Sequence, residues 1–313
     1  MSNVLMKRID DVLNDKEKNY IFPFLWTQGE NEEKMKEYIE EIYNSGIKSI
    51  CVESRPHPDY LGEKWWSDLI FIMKESKKRN MKVWILDDEH FPTGSVKGIV
   101  KKKYPNKLKK YLSIHQIDTM GPSKETSFNL TWTYPSKLGA RKSSRKAMKD
   151  LPKDKLIKII AVKRINDDEV DPSTTLDITD NNVNNILYWD VPDGHWKIFI
   201  LFNSVYGGEK RTEDYLNPLD SEATQILIDE IYEKHLEKLK QYVGNTFVGF
   251  FSDEHRFGNG KGQDFSIGRK TMVFPWKDNL ENFFDEEELL NLPFLLPINA
   301  KGREHFIRYK YMN

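Results

Sequence analysis

Cysteine is almost absent from the 313 residues: Cys51 is the only one, so the chain cannot form an internal disulfide. It sits inside the apolar run Ile47 to Val52, which fits a small core residue better than a nucleophile. Long hydrophobic runs are missing too. No stretch is apolar enough to span a bilayer as a helix, and the polar start, Met1 to Lys18, lacks the h-region of a signal peptide. An excess of either charge is also lacking, with 48 Lys and Arg against 49 Asp and Glu. That balance argues against a nucleic-acid partner. The expectation is a soluble, cytoplasmic protein that binds neither nucleic acid nor membrane. No G-x-G-x-x-G follows the first apolar strand, which argues against a dinucleotide enzyme. H-x-H and H-E-x-x-H are absent as well, so a metal-dependent hydrolase built on Asp87, His90, Asp253 and His255 has little support.

What is present is a repeated phrase. Val83-Trp84-Ile85-Leu86 runs into Asp87-Asp88-Glu89-His90, and Phe247-Val248-Gly249-Phe250-Phe251 runs into Ser252-Asp253-Glu254-His255. A buried strand that ends in carboxylates sets costly charges at the rim of a core. In parallel α/β barrels that rim is where active sites are built. Two acidic clusters at two strand ends suit a reaction needing an acid and a base, such as glycosidic bond cleavage. Eight tryptophans, fourteen tyrosines and seventeen phenylalanines are compatible with stacking on sugar rings, although most such rings belong to cores.

The first hundred residues alternate strand and helix. Strands are expected at Tyr20 to Trp26, Ile47 to Val52 and Val83 to Leu86, and helices over 30–45 and 63–79, on apolar positions spaced i, i+3, i+4. This order means right-handed βαβ units and a parallel sheet. Between about Lys107 and Tyr206 the texture turns strand-rich: Phe128, Leu130, Trp132 and Tyr134 alternate with polar residues, Leu156 to Val162 is apolar, and Pro192-Asp193-Gly194 precedes Trp196 to Phe202. A helix over 221–242, capped by Asp220 and carrying a packed His235, then leads to the strand Phe247 to Phe251. The segment Gly258 to Gly262 reads as a lid or a plain surface loop, and the tail as short helices. The expected organisation is a first barrel part over 1–106, an inserted antiparallel β domain over 107–206, and a continuing barrel over 207–313. Excluding the insertion, about 215 residues remain, fewer than the about 250 of a (β/α)8 TIM barrel, and only four of its strands are visible. An incomplete barrel would expose a strand edge, which leaves room for a homodimer.

The segment Trp84 to Gly94 resembles the W-x-Y-D-E-D-G-W-P-S-G stretch of α-L-rhamnosidase-like glycoside hydrolases, family 106 and its relatives. Arg55-Pro56, Leu176-Asp177-Ile178-Thr179, Trp189-Asp190-Val191-Pro192-Asp193-Gly194-His195-Trp196, Tyr215-Leu216-Asn217-Pro218, Phe251-Ser252-Asp253-Glu254, Pro275-Trp276 and Leu292-Pro293 resemble further motifs of that family, in the same order. The resemblance implies a catalytic (β/α)8 barrel with an inserted β domain, acting on a carbohydrate or glycoside. It implies Glu254 as general acid and Asp253 as the residue that orients a neighbour or holds a sugar hydroxyl. Asp88 and Glu89 would bind hydroxyls or a calcium ion (Ca2+), and Arg55, His57, His255 and Trp26 would line the same rim. Departures from the family pattern are the order Asp88-Glu89, His90 in place of glycine, His255 in place of proline, and Glu53 in place of histidine. A non-catalytic sugar-binding homologue is the alternative.

Overall fold

The computed structural model describes residues 2–14, 21–138, 152–258, 265–269, 271–297, 299–300 and 304–313. It is a mixed α/β structure that divides into two compact units, Met1–Lys97 with Gln225–His255, and Gly98–Thr224 with Arg256–Asn313. The segments expected from sequence, 1–106, 107–206 and 207–313, divide at other points.

The first unit holds a parallel sheet of Phe24–Thr27, Ser49–Ser54, Lys82–Leu86 and Phe247–Phe251, side by side in chain order. Helices Glu32–Asn44 and Glu63–Lys78 make the first two crossovers. The earlier helix begins where Asn31 accepts a hydrogen bond from the Lys34 amide, with Glu32 and Glu33 in its positive first turn. It stops before Gly46, whose φ of +89° suits glycine. Side chains alternate across the strands. Leu25, Ile50, Val52, Val83 and Ile85 are buried, and so are Met35, Ile39, Leu69, Ile72, Met73 and Ile231 of the helices. On the sheet's opposite face Phe24 meets Phe251 edge-on at 5.4 Å, and Phe22, just ahead of the first strand, stacks on Trp84 at 5.6 Å. The four strands form an open sheet, and no closed barrel is present among the described residues.

The second unit is built on an antiparallel sheet ordered Thr271–Trp276, Lys110–Ser123, Val191–Ser204, Lys155–Arg164, Val170–Asp177. One face, lined by Leu112, Ile114, Ile160, Val162, Phe199, Leu201, Met272 and Trp276, packs against Leu292 and Phe294. The other packs Ile159, Ala161, Ile198, Ile200 and Phe202 against Leu130, Leu187 and Trp189. The alternation at Phe128 to Tyr134 predicts a strand, but only Ser127–Asn129 is extended. Leu130–Trp132 turns as a 3-10 helix because the Asn129 side chain accepts from the Thr131 amide. Thr271–Trp276 is a strand where short helices are expected, and its Pro275 is tolerated because the strand lies at the sheet edge. The loop expected over Gly258 to Gly262 lies, apart from Gly258, outside the described residues. No helix among the described residues is long and apolar enough to cross a membrane.

Candidate functional site

The C-terminal ends of the four parallel strands meet at one rim of the first unit. The first and second strands are tied beyond their ladder: the Arg55 amide donates to the Thr27 carbonyl at 3.0 Å, and the Gln28 side chain donates to the Arg55 carbonyl at 2.8 Å. Glu53 lies opposite Trp26 in register and is buried. Its charge is compensated by the half-exposed Arg55, whose Nη1 donates to Glu53 Oε1 at 2.5 Å. The same guanidinium lies 4.9 Å from the Trp26 ring centre, and Trp26 itself is 54% exposed. The rim thus offers a flat aromatic surface beside a cation already engaged by a carboxylate.

The third and fourth strands deliver the acids. Asp87 and Asp88 are both fully buried, yet they do different things. Asp88 accepts from the amides of Glu89 (2.7 Å), Gly94 (2.9 Å), Val96 (2.9 Å) and Lys97 (3.3 Å), and from the Ser95 hydroxyl (3.2 Å). It holds together a loop in which Val96 and Lys97 take φ of +49° and +53°, a conformation L residues adopt only when the surroundings impose it. Burial pushes the Asp88 carboxyl up from its ordinary range, and the four amide bonds pull against that. Asp87 instead accepts two hydroxyls, from Thr93 at 2.5 Å and from Tyr232 at 2.6 Å. Burial, followed by the hydrogen bond to Asp87, drives the Tyr232 phenol well above its ordinary value, so it stays a donor.

Asp253 and Glu254 follow the fourth strand. Asp253 is half-buried. Partial burial raises its proton affinity first, then the neighbouring charges of Glu254 and Asp87. Glu254 is exposed and has a φ of +39°, a strained backbone for a non-glycine residue. His255 is exposed, with Nε2 2.7 Å from the Ser252 hydroxyl. Cys51, under this rim, has its thiol pushed up to about 12 by burial and by Glu53, Asp253 and Asp87, so it is inert as a nucleophile.

Of the residues singled out from sequence, Trp26, Arg55, Asp253, Glu254 and His255 are at the rim with accessible surface, and Glu89 is half-buried there. Asp88 is at the rim but enclosed by donors. Those amide hydrogens occupy the oxygens a calcium ion would need, so Asp88 does not fit that role, and the described residues contain no cluster of three or more potential metal ligands. His57 turns away into the unit: it is 2% exposed, its Nδ1 accepts from the Asp59 amide at 3.1 Å, and its Nε2 therefore donates to Asp68 at 3.0 Å. Two residues that bear on the site are absent from the sequence-derived set. Thr93 stands where the resembled motif has serine, which is a usable signal. Tyr232 is indistinguishable in sequence from any apolar-face helix residue.

No protein-family model matches this sequence, and no curated protein matches it. The fold is of a known kind nonetheless: mixed α/β, with a parallel sheet in one unit and an antiparallel sheet in the other. The solved structure of a rhamnosidase from Novosphingobium sp. PP1Y is similar, with a TM-score of 0.50 and 10% sequence identity. The match covers 94% of this chain and 43% of that one, so the chain spans less than half the length of the rhamnosidase. At this identity the likeness is one of fold, and it does not single out family 106.

Proposed function

We propose that the protein is a glycoside hydrolase of the rhamnosidase-like kind, its parallel sheet being the first four strands of a (β/α) barrel and its antiparallel sheet the inserted domain. The observation that carries this reading is the pair Asp253–Glu254 at the C-terminal end of the fourth strand, on the same rim as the exposed Trp26 ring. Cleavage of a glycosidic bond needs a carboxyl that keeps its proton for the leaving oxygen, and a carboxylate that meets water or the sugar. The surroundings of Asp253 raise its affinity for a proton. Asp253 is half-buried with its backbone held by Thr93 while Glu254 is exposed, and on that geometry we give the donor's part to Asp253, where the family resemblance gives it to Glu254. Glu254 is then the exposed carboxylate that faces substrate or water. Trp26 supplies the stacking surface, and Arg55, half-exposed above it, donates to ring hydroxyls with the hydrogens Glu53 leaves free.

The test is hydrolysis of a panel of aryl glycosides, α-L-rhamnoside included, by the protein and by its Asp253→Asn and Glu254→Gln variants. The expected result is turnover in the parent and a loss of about 100-fold or more in Asp253→Asn. Reactivity toward substrates with good leaving groups, which need little protonation, should be partly spared in that variant. Equal sparing in Glu254→Gln instead would move the donor to Glu254. A folded parent that turns over no glycoside but still binds one would establish a sugar-binding protein in place of an enzyme.

A further inference from the structure

Asp87, the first of the two buried acids after the third strand, has no surface for a substrate, yet it ties that strand end to the fourth strand and to the helix behind it. Asp87 presents one oxygen to each of two hydroxyls, Oδ1 to Thr93 and Oδ2 to Tyr232. Thr93 has a single hydroxyl hydrogen, and it is spent on Asp87. Its oxygen is therefore free to accept, and it takes the Asp253 amide at 3.1 Å, while the Thr93 amide donates to the Asp253 carbonyl at 2.9 Å. Both backbone polar groups of Asp253 are thus held by one residue, which is itself oriented by Asp87. The Asp87 amide completes the frame by donating to the Phe251 carbonyl at 3.1 Å.

The other clamp comes from a helix that departs from regular geometry. Ile228–Tyr232 forms a π turn between the α-helical turns Ser221–Leu227 and Glu233–Lys238. An extra residue in one turn rotates the rest of the helix by ~100° about its axis, and such turns concentrate at functional sites. Here the π turn ends at Tyr232, whose ring stacks on Phe250 at 4.2 Å, nearly parallel, and whose hydroxyl reaches Asp87. Phe250 lies three residues before Asp253, so ring and hydroxyl hold the same strand end from the helix side.

We propose that Asp87, gripped by Thr93 and Tyr232, is a positioning residue that fixes the place and the charge surroundings of the Asp253 carboxyl. The role assigned to Asp253 rests on the glycosidase reading; the grip itself rests on the hydrogen bonds. The charges that act on Asp253 are Glu254 from its own strand end and Asp87 from the third, and Asp253 in turn acts on Cys51 of the second. Two hydroxyls hold Asp87 in place, one on each carboxylate oxygen.

The experiment has an arm that needs no substrate. Titration of the Asp253 carboxyl carbon by NMR is compared in the parent, Asp87→Asn and Tyr232→Phe. Asp87→Asn removes a negative neighbour, so the Asp253 midpoint should fall by about half a pH unit or more. Tyr232→Phe leaves the charge with one donor fewer and should raise it. The second arm is kinetic, on whichever glycoside is turned over. Thr93→Val should lower kcat by about tenfold with KM within about twofold, and Thr93→Ser, which keeps the hydroxyl, should restore it. An Asp253 midpoint unmoved in both NMR variants, with parent-like unfolding, overturns the proposal, as does full kcat in Thr93→Val. Should Asp87→Asn fail to fold, Tyr232→Phe carries the NMR arm alone. Absence of all turnover would defeat the glycosidase reading while the titration still decides the grip.

Discussion

His235 shows how one residue's surroundings translate into a measurable pH dependence. It is fully buried, accepts the Trp65 indole N–H at Nε2 (3.0 Å) and donates from Nδ1 to the Ile231 carbonyl at 2.7 Å, which fixes the neutral tautomer. Burial brings its pKa down to about 4, with the Ile231 hydrogen bond pulling weakly the other way. The folded value is below the ordinary 6.5, so between the two the unfolded chain binds more protons than the native one. The stability that depends on neutral His235 is whole above about pH 6.5 and is lost as the pH falls toward 4. About 3 kcal/mol is at stake across that window, at roughly 1.4 kcal/mol per pH unit. His235→Leu removes this titration and strands the Trp65 N–H, so it should cost about 1–3 kcal/mol at pH 7. At pH 4 the parent has lost its own advantage, and the gap should narrow to near zero or reverse. Urea unfolding at the two pH values checks this; a gap of equal size at both would mean the histidine is not held neutral. The apolar-face spacing was enough to read His235 as packed. Its indole partner, 170 positions away in sequence, has no local signature.

At the scale of elements, what could be read from the sequence is what local pattern determines. The strands Phe247–Phe251 and Lys82–Leu86 and the helix Glu63–Lys78 are legible because apolar spacing and end signals agree. The strand Thr271–Trp276 is not, because a proline and a run of short polar turns around it outweigh six residues whose partner, Lys110–Ser123, lies over 150 positions earlier. The π turn is equally silent: Ile228 to Tyr232 has the spacing of an ordinary helix, and only the reach to Asp87 marks it. The Pro192-Asp193-Gly194 segment, which reads as a turn in sequence, is an irregularity within the strand Val191–Ser204 and makes a sharp prediction. Between Val191 and Gly194 the pairing with Lys110–Ser123 shifts register, and there Gly121 lies against the opposite backbone. A Cβ at Gly121 would stand 2.0 Å from the Pro192 carbonyl oxygen and 2.7 Å from that of Val191. Neither is the end of a flexible side chain, so Gly121→Ala must displace a strand. A loss of about 1–3 kcal/mol in unfolding free energy is expected, with the first unit's Asp253 titration unchanged. A parent-like midpoint would show that this bulge yields without cost.

On the scale of the whole molecule, each compact unit is assembled from two stretches of chain, and that has consequences for how the protein can be divided. The first unit takes its fourth strand from Gln225–His255, together with the His235 ring that the Trp65 indole needs and the Tyr232 hydroxyl that Asp87 needs. The second takes its edge strand from Arg256–Asn313, along with the helix residues Leu292 and Phe294 that cover one sheet face. A chain cut after Thr224 would therefore damage both. In the first unit Lys82–Leu86 would become a bare, apolar strand edge, and Asp87 would stay buried with one donor missing or become exposed. Either condition is costly, since an unpaired edge invites association and an under-satisfied buried carboxylate loses its compensation. Residues 1–224 are expected to aggregate or to be cleaved within 21–97 by a protease that leaves the parent intact. Adding the separate segment 225–255 should restore protection to 21–97 while leaving the second unit, which still lacks its edge strand, open to cleavage. Protection of 21–97 in the 1–224 fragment alone would mean that three parallel strands and two helices make a stable body, and that the acidic strand end carrying Asp253 is added to it without being required by it.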